Sequence, residues 1–556
     1  MGTTFDPAIA GQMAQTVSRE YRAMGITLEL GPQVDLASDP RWNRMSATFG
    51  SDPQLNADMA RAVCDGLQTT PDAPESARGW GRHSVLAMTK HWPGSTGEGG
   101  RESHKESGKY AVYPGGNFDS HLYPWTAGAF CLDGPTSQCG AVMSCYDSIW
   151  EIGGKDANLS GASFNPYIIN KLLREKYHFD GFVCTDFWIT GNLKKERTTR
   201  PQVNAWGYEK VSAPERALRE WESGVDQCGG TNEIEVMREA YQLALQKHGP
   251  AWAEQRINEI AERILTFGFR VGSFDNPYAD PVYAHDFVGN QQFRSLGMDA
   301  HRKSIILLKN RNILPLKKGA KVWVAEKYEG GIPDRAGNIS PATLTSPLSQ
   351  EETAGFFTRA DNPESADFAL VFMDSPKSGD GFDDKTGEYL PISLQYHPYT
   401  ADTAREENIS GNFTDGVKQN RSYRGKTVTT YNEYDLDQLL KVRQQMNGKP
   451  VILVLTCANP AVPAEFEPCA DAILVGFAGT PNQILLEAVC GCFEPSGLLP
   501  FQMPASMETV EAHSEDTPGD MIPYTDEAGH VWDFGFGMNW NGVICDERLK
   551  KYCKGK

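Results

Sequence analysis

Long hydrophobic runs are missing from this sequence. No stretch reaches the roughly 20 uninterrupted apolar residues of a membrane helix, and even PVILVLTCANPAV is broken by proline and asparagine. Membrane spanning by a helix is a poor reading. Positive charge is also in short supply, with 53 Lys and Arg against 72 Asp and Glu and a formal net charge of −19. A surface of that sign repels a phosphate backbone, which argues against nucleic acid and leaves neutral ligands open. The 12 cysteines lack paired CxxC spacing and are scattered along the chain, so they read mostly as buried thiols and not as a zinc site or a dense disulfide framework. HExxH and Walker patterns are absent too, and no metal or organic cofactor is expected. The residues after Met1 offer no basic n-region and no apolar h-region, so no secretory signal is read there. A secreted or periplasmic destination requires an upstream signal; otherwise the cytoplasm is expected.

What is present is ample material for large cores, with 40% hydrophobic and 10% aromatic residues over 556 positions. At about 100 to 200 residues per domain, two or three domains are expected. In the first half, amphipathic helices alternate with short apolar runs. Residues 7 to 24 predict a helix and ITLELGP a strand; PQLNADMARAVCDGLQ predicts a helix and VLAMTKHW a strand; GAVMSCYD and GFVCTDFW follow as strands with a helix between them. Strand ends carrying Lys, His, Tyr or Asp suit the active face of a (β/α) barrel, although about five strands are counted where a closed barrel has eight. The expected class is therefore α/β. A (β/α) barrel over residues 1–272, incomplete at its start, is followed by a Pro- and Asn-rich linker at 273–290 and an αβα sandwich with a mainly parallel sheet over 291–556. In that second block NQQFRSLGMDAHRKSIILLKN predicts a helix and KVWVAEK, FALVFMD, PVILVLTC and DAILVGFAG predict strands. A long polar insertion from about 374 to 432 has the length of a functional loop.

Two strand ends carry candidate chemistry. Asp186 in GFVCTDFW could be a nucleophile, a base or a structural loop cap, and Phe187 and Trp188 beside it offer an apolar platform for a pyranose ring. Lys90 and His91 in KHWPG stand next to Trp92 and suit hydroxyl recognition, against a bland alternative of a solvated Lys and a packed His.

Taken together, DPRWNR at 39–44, KHWPG at 90–94, GFVCTDFW at 181–188, AHRKSIILLKN at 300–310, EPSGLLPFQMP at 494–504 and DFGFGMNW at 533–540 resemble glycoside hydrolase family 3, in order and over nearly the whole chain. The resemblance is to its two-domain, β-glucosidase-like members. It implies a retaining exo-β-glycosidase with its site between the two domains, acting on a β-linked oligosaccharide or glucoside. A β-xylosidase or other exo-β-glycosidase, and an inactive carbohydrate-binding remnant, are the alternatives, and a homodimer is left open. Carried over, the resemblance makes Asp186 the nucleophile and gives Arg44, Lys90 and His91 the glycone hydroxyls. It puts Tyr146 of MSCY close to the nucleophile and matches Asp6 of TTFDP to a further acidic position. The family's acid/base comes from the second domain, after a strand like FALVFMD; Glu388 in TGEYLP is preferred there and Asp380 in SGDGF comes second. Two departures are visible. Asn43 replaces the usual Gly of RWGR, and the family's first strand, with its sugar-gripping Asp, is not found, so a shortened start is expected.

Overall fold

The structure is a computed structural model that describes residues 1–70, 79–153, 160–191, 204–333, 339–411, 413–414 and 417–553. The first half is built on four parallel strands: β1 (Leu28–Glu29), β2 (Leu86–Trp92), β3 (Ala141–Ser144) and β4 (Phe182–Cys184). They lie side by side in chain order, with Leu28 opposite Leu86, Met88 opposite Ala141, and Ala141 opposite Phe182. A parallel bridge from Cys184 to Gln227 adds a fifth lane. Among the described residues, the pairing found joins these strands in one parallel sheet.

The helices between these strands start where the sequence says they should. Asp6 caps α1 (Pro7–Ala23) and Asp52 caps α2 (Pro53–Gln68), each followed by a proline whose missing N–H costs nothing in the first turn. Ser212 and Glu215 form a reciprocal capping box at the helix Ala213–Ser223. α1 and α2 bury Ala10, Ala14, Leu55, Met59 and Val63 in one core with Val85, Val142 and Val183. Asp226, just after that last helix, is fully buried and accepts from three arginines: Arg174 Nη2 at 2.7 Å, Arg256 Nη2 at 2.9 Å and Arg263 Nη1 at 2.8 Å. It also accepts from Val183 N at 2.9 Å, which ties the helix Pro250–Arg270 to β4.

The second half is one eight-stranded sheet. Its strands are β5 (Ile306–Asn310), β6 (Lys321–Val324), β7 (Thr358–Arg359), β8 (Phe368–Asp374), β9 (Val451–Cys457), β10 (Ala472–Phe477), β11 (Met538–Asn539) and β12 (Gly542–Val543), in the spatial order β7-β6-β8-β9-β10-β5-β11-β12. From β7 to β10 the pairing is parallel; β5, β11 and β12 continue it antiparallel. β8 to β10 are near-continuous Val, Ile, Leu and Ala, as expected for strands covered on both faces. The class is α/β with a mostly parallel sheet. Two local expectations change. The segment read as one helix from 290 to 310 is a helix over Gln291–Ser304 that gives way to β5, because the run Ile305-Ile306-Leu307-Leu308 is buried on all sides and favours a strand. The stretch 273–290 contains the helix Pro281–Phe287, capped by Asp280.

The halves interlock through both cores and polar contacts. Phe534 and Tyr552 return from the C-terminal segment to Phe5, with ring centroids 4.9 and 5.8 Å away. Asn459 Nδ2 donates to Pro40 O and Trp42 O at 2.8 and 2.7 Å. The insertion after β8 carries short hairpins whose Leu394, Tyr399 and Ala401 share a small core with Val462, Met507 and Val510. No described helix is long and apolar enough to cross a membrane, and among the described residues there is no disulfide.

Candidate active site

The C-terminal ends of β2, β3 and β4 converge on one cavity, lined by Asp35, Trp42, Arg44, His91, Glu102, Tyr146, Asp147 and Asp186 among others. Asp186 follows β4 directly. Its Oδ1 accepts from Phe187 N at 2.6 Å and from Tyr146 Oη at 3.0 Å. Its Oδ2 faces His91 Nε2 at 3.4 Å and is the less engaged oxygen. The chain can turn this tightly because Gly229 passes behind it: a Cβ there would lie 2.5 Å from Thr185 O. Burial, reinforced by the Asp186 charge, holds the Tyr146 phenol well above its ordinary pKa, so it is a hydroxyl donor.

His91 is held from its other side. Nδ1 lies 2.7 Å from Asp35 Oδ2, and the His91 N–H donates to Asp35 Oδ1 at 3.3 Å. With Nδ1 tied to the Asp35 carboxylate, the ring is fixed so that Nε2 is turned to Asp186. Asp35, His91 and Asp186 thus form a buried relay with side-chain exposures of 2%, 7% and 9%. Lys90 precedes His91 and is half-buried; burial lowers its pKa, with Arg44 adding to the effect and Asp186, Asp35 and Glu29 opposing it.

Arg44 reaches the cavity from the loop after β1, donating from Nη2 to Gln33 Oε1 at 2.9 Å and pairing with Glu102 at 3.5 Å. Arg41 of the same motif is turned the other way. It grips Asp39 with Nε at 3.0 Å and Nη2 at 2.8 Å, and its Nη1 donates to Tyr423 Oη at 2.8 Å across the interface. Glu102 accepts from Trp42 Nε1 at 2.7 Å and from His104. Burial alone would raise its pKa, but His104 and Arg44 bring it down to about 2. Asp147 is its opposite: burial pushes it up to about 6 against hydrogen bonds from Ser95 and Ser103, and its Oδ2 has no partner.

Of the residues singled out from the sequence, Asp186, His91, Arg44 and Tyr146 line this cavity, and Lys90 adjoins them. Four others are placed elsewhere. Asp6 is spent capping α1, where its carboxylate accepts from Ala8 N at 3.0 Å. Trp188 turns back with φ of 64° and packs against Gly230. Glu388 lies on a short hairpin strand where side chains alternate between faces; its neighbour Tyr389 faces the cleft, while Glu388 is half exposed and pairs with Lys426 at 2.6 Å. Asp380 pairs with Lys105 outside the cavity. Asp35, Glu102 and Asp147 were missed. An acidic residue inside an apolar strand end, as in ELGPQVDL, was the available signal for Asp35. Among the described residues no cluster of His, Cys, Asp and Glu is arranged to hold a metal ion.

Comparison with known proteins agrees with this architecture. Residues 1–267 match the glycosyl hydrolase family 3 N-terminal domain and residues 305–540 its C-terminal domain. The periplasmic β-glucosidase/β-xylosidase of Dickeya chrysanthemi is 29% identical over 96% of this chain and 71% of its own length. β-Glucosidase C of Emericella nidulans is 30% identical over 96% of this chain and 73% of its own length. Among solved structures, the exo-1,3/1,4-β-glucanase of a Pseudoalteromonas species superposes with a TM-score of 0.67 at 18% identity, over 98% of this chain and 61% of that one. The Listeria innocua β-glucosidase bound to isofagomine gives 0.63 at 18% identity, over 92% and 64%. At that identity the two structures speak for the fold alone. With both halves matched and the alignment to relatives running along nearly the entire chain, the protein belongs to glycosyl hydrolase family 3 and is a glycoside hydrolase.

Proposed function

We propose that this chain removes terminal β-D-glucosyl residues from the non-reducing end of β-glucosides, with retention, through a covalent glycosyl intermediate on Asp186. The observation that carries the reading is the arrangement around Asp186: Oδ1 is fixed by Tyr146 and Phe187 N, which leaves Oδ2 to attack the anomeric carbon. The names of the Dickeya and Emericella relatives support a β-glucosidase, and the double name of the first makes β-xylosidase the second reading. Arg44, Lys90 and His91, together with Asp35, supply polar donors and acceptors suited to the glycone hydroxyls.

Retaining hydrolysis needs a second carboxyl that keeps its proton until the aglycone leaves. Asp380 and Glu388 are ion-paired with lysines outside the cavity. Asp147 lines the cavity and is raised to about 6, so we assign it the acid role. In the first step Asp186 bonds to the anomeric carbon while the aglycone oxygen takes the Asp147 proton. In the second, water gives its proton back to Asp147 and displaces Asp186. Turnover of aryl β-D-glucosides against aryl β-D-xylosides tests the activity and ranks the two sugars; no turnover of either contradicts it. Asp147→Asn should cripple phenyl glucosides far more than 2,4-dinitrophenyl glucosides, whose departure needs little protonation. Equal losses on both, or the leaving-group effect appearing in Asp380→Asn or Glu388→Gln instead, overturn the Asp147 assignment.

A further inference from the structure

Beside the Asp186 cavity, in the cleft between the halves, lies a second cavity of about 30 Å³ walled by Arg101, Tyr110, Tyr389, Arg421 and Tyr423. Arg101 lines both cavities. It is 4% exposed, and its guanidinium donates only to carbonyl oxygens: Gly381 O at 3.2 Å, Glu98 O at 3.2 Å and Leu390 O at 2.9 Å. Its plane is packed by Tyr389 and Tyr423, whose ring centroids are 5.2 and 4.9 Å away. Arg421 is 6% exposed and its Nε has no hydrogen-bond partner. That guanidinium rests against Tyr110 at 4.9 Å and Tyr389 at 5.8 Å.

A buried cation is expensive unless it is paired, and the neighbouring arginines are. Arg405 is bidentate to Glu515, with contacts of 2.5 and 2.6 Å, and Arg41 is bidentate to Asp39. Among the described residues no carboxylate forms an ion pair with Arg101 or Arg421. The acidic residues lining the same cavity are occupied or turned to solvent. Glu98 accepts from Ser410 N at 3.2 Å and Ser410 Oγ at 2.5 Å; Glu511 accepts from Tyr423 Oη at 2.6 Å and Tyr399 Oη at 3.2 Å; Glu407 is exposed.

We propose that this arginine–tyrosine box is a subsite for an anionic group carried by a sugar, a carboxylate or a sulfate ester, next to the glycone site. Two guanidiniums supply the charge and planar N–H donors that suit such oxygens. The three tyrosine rings keep them desolvated and in place. On an acidic chain this is a local exception, and it favours acidic β-linked saccharides over neutral ones. The sugar part of the inference rests on the proposed glycosidase reading; the anion part does not.

The test is binding, measured by calorimetry on the intact protein, so that it does not depend on turnover. Glucuronate should bind about tenfold or more tightly than glucuronamide, since charge-assisted hydrogen bonds are roughly twice as strong as neutral ones. In Arg421→Met the preference should vanish. Glucose 6-sulfate against glucose forms the second arm: tighter binding there identifies sulfate as the group, and a preference confined to glucuronate identifies carboxylate. Equal binding within both pairs by the unmodified protein overturns the proposal, and so does a preference that survives Arg421→Met. If Arg421→Met fails to fold by circular dichroism, Arg421→Gln takes its place and the unmodified-protein comparison still decides. A protein that binds glucuronate through Arg421 but cleaves no β-glycoside keeps the box and loses the glycosidase reading.

Discussion

Replacing Asp35 by Asn removes a charge from the relay behind the nucleophile while keeping its shape. Asp35 Oδ2 is 2.7 Å from His91 Nδ1, its Oδ1 takes the His91 N–H at 3.3 Å, and His91 Nε2 meets Asp186 at 3.4 Å. The amide oxygen can still accept from Nδ1, but the bond loses its ionic character, and the amide NH2 is left facing the His91 N–H. A hydrogen bond to a charged group contributes about 1.5 to 3 kcal/mol. All of it bears on the geometry of His91, because the side chain is buried and has no solvent to turn to. The expected outcome is a fall in kcat/KM of about 10- to 150-fold on aryl β-glucosides. Asp35 acts at the glycone end, so the loss should be the same for phenyl and 2,4-dinitrophenyl leaving groups. Steady-state kinetics on both substrates, with circular dichroism to confirm folding, provides the measurement. A folded variant that loses less than about twofold, or roughly 0.4 kcal/mol, refutes the relay.

Other consequences follow from buried charge. Glu220, fully buried with Thr190 Oγ1 at 2.9 and 2.8 Å from its two oxygens, is pushed by burial to about 7. The folded state therefore holds a proton that the unfolded chain releases near pH 4.5, and stability falls as pH rises from there to about 7. Glu220→Gln should remove that slope and raise the melting temperature at pH 8; an unchanged pH profile contradicts it. Asp226→Ala strands the Arg174, Arg256 and Arg263 guanidiniums around one vacated carboxylate. It should cost about 3 to 5 kcal/mol in denaturant unfolding, and a loss under about 1 kcal/mol would mean the cluster is not holding the helix to β4.

Much of the scaffold was legible because it is written in local terms. Asp-Pro pairs at 6–7 and 52–53 start helices, and the Val- and Leu-rich runs 368–374, 451–457 and 472–477 can only be buried strands. KHWPG and TDFW marked strand ends that the structure brings to one cavity. What local pattern could not supply was partnership. Asp35 matters because a neighbouring strand carries His91, and Asp147 because its surroundings exclude water. Glu388 was attractive for its Tyr-Leu-Pro neighbourhood, yet the hairpin's alternation gives that environment to Tyr389 and leaves Glu388 beside Lys426. Asp6 looked like a site carboxylate and proved to be an N-cap. The helix expected through residue 310 ended early because burial of Ile305 to Leu308 between strands outweighed the period of the preceding residues.

The assignment of Asp186 is tested most directly by trapping the intermediate. Incubation with 2,4-dinitrophenyl 2-deoxy-2-fluoro-β-D-glucoside slows both steps and lets the glycosyl-enzyme accumulate. Proteolysis and mass spectrometry should then place the fluoroglucosyl group on the GFVCTDFW peptide at Asp186, with one equivalent of dinitrophenolate released per chain and no labelling of Asp186→Ala. A label on Asp35, Glu102, Asp147 or any other carboxylate, or turnover retained in Asp186→Ala, contradicts the account.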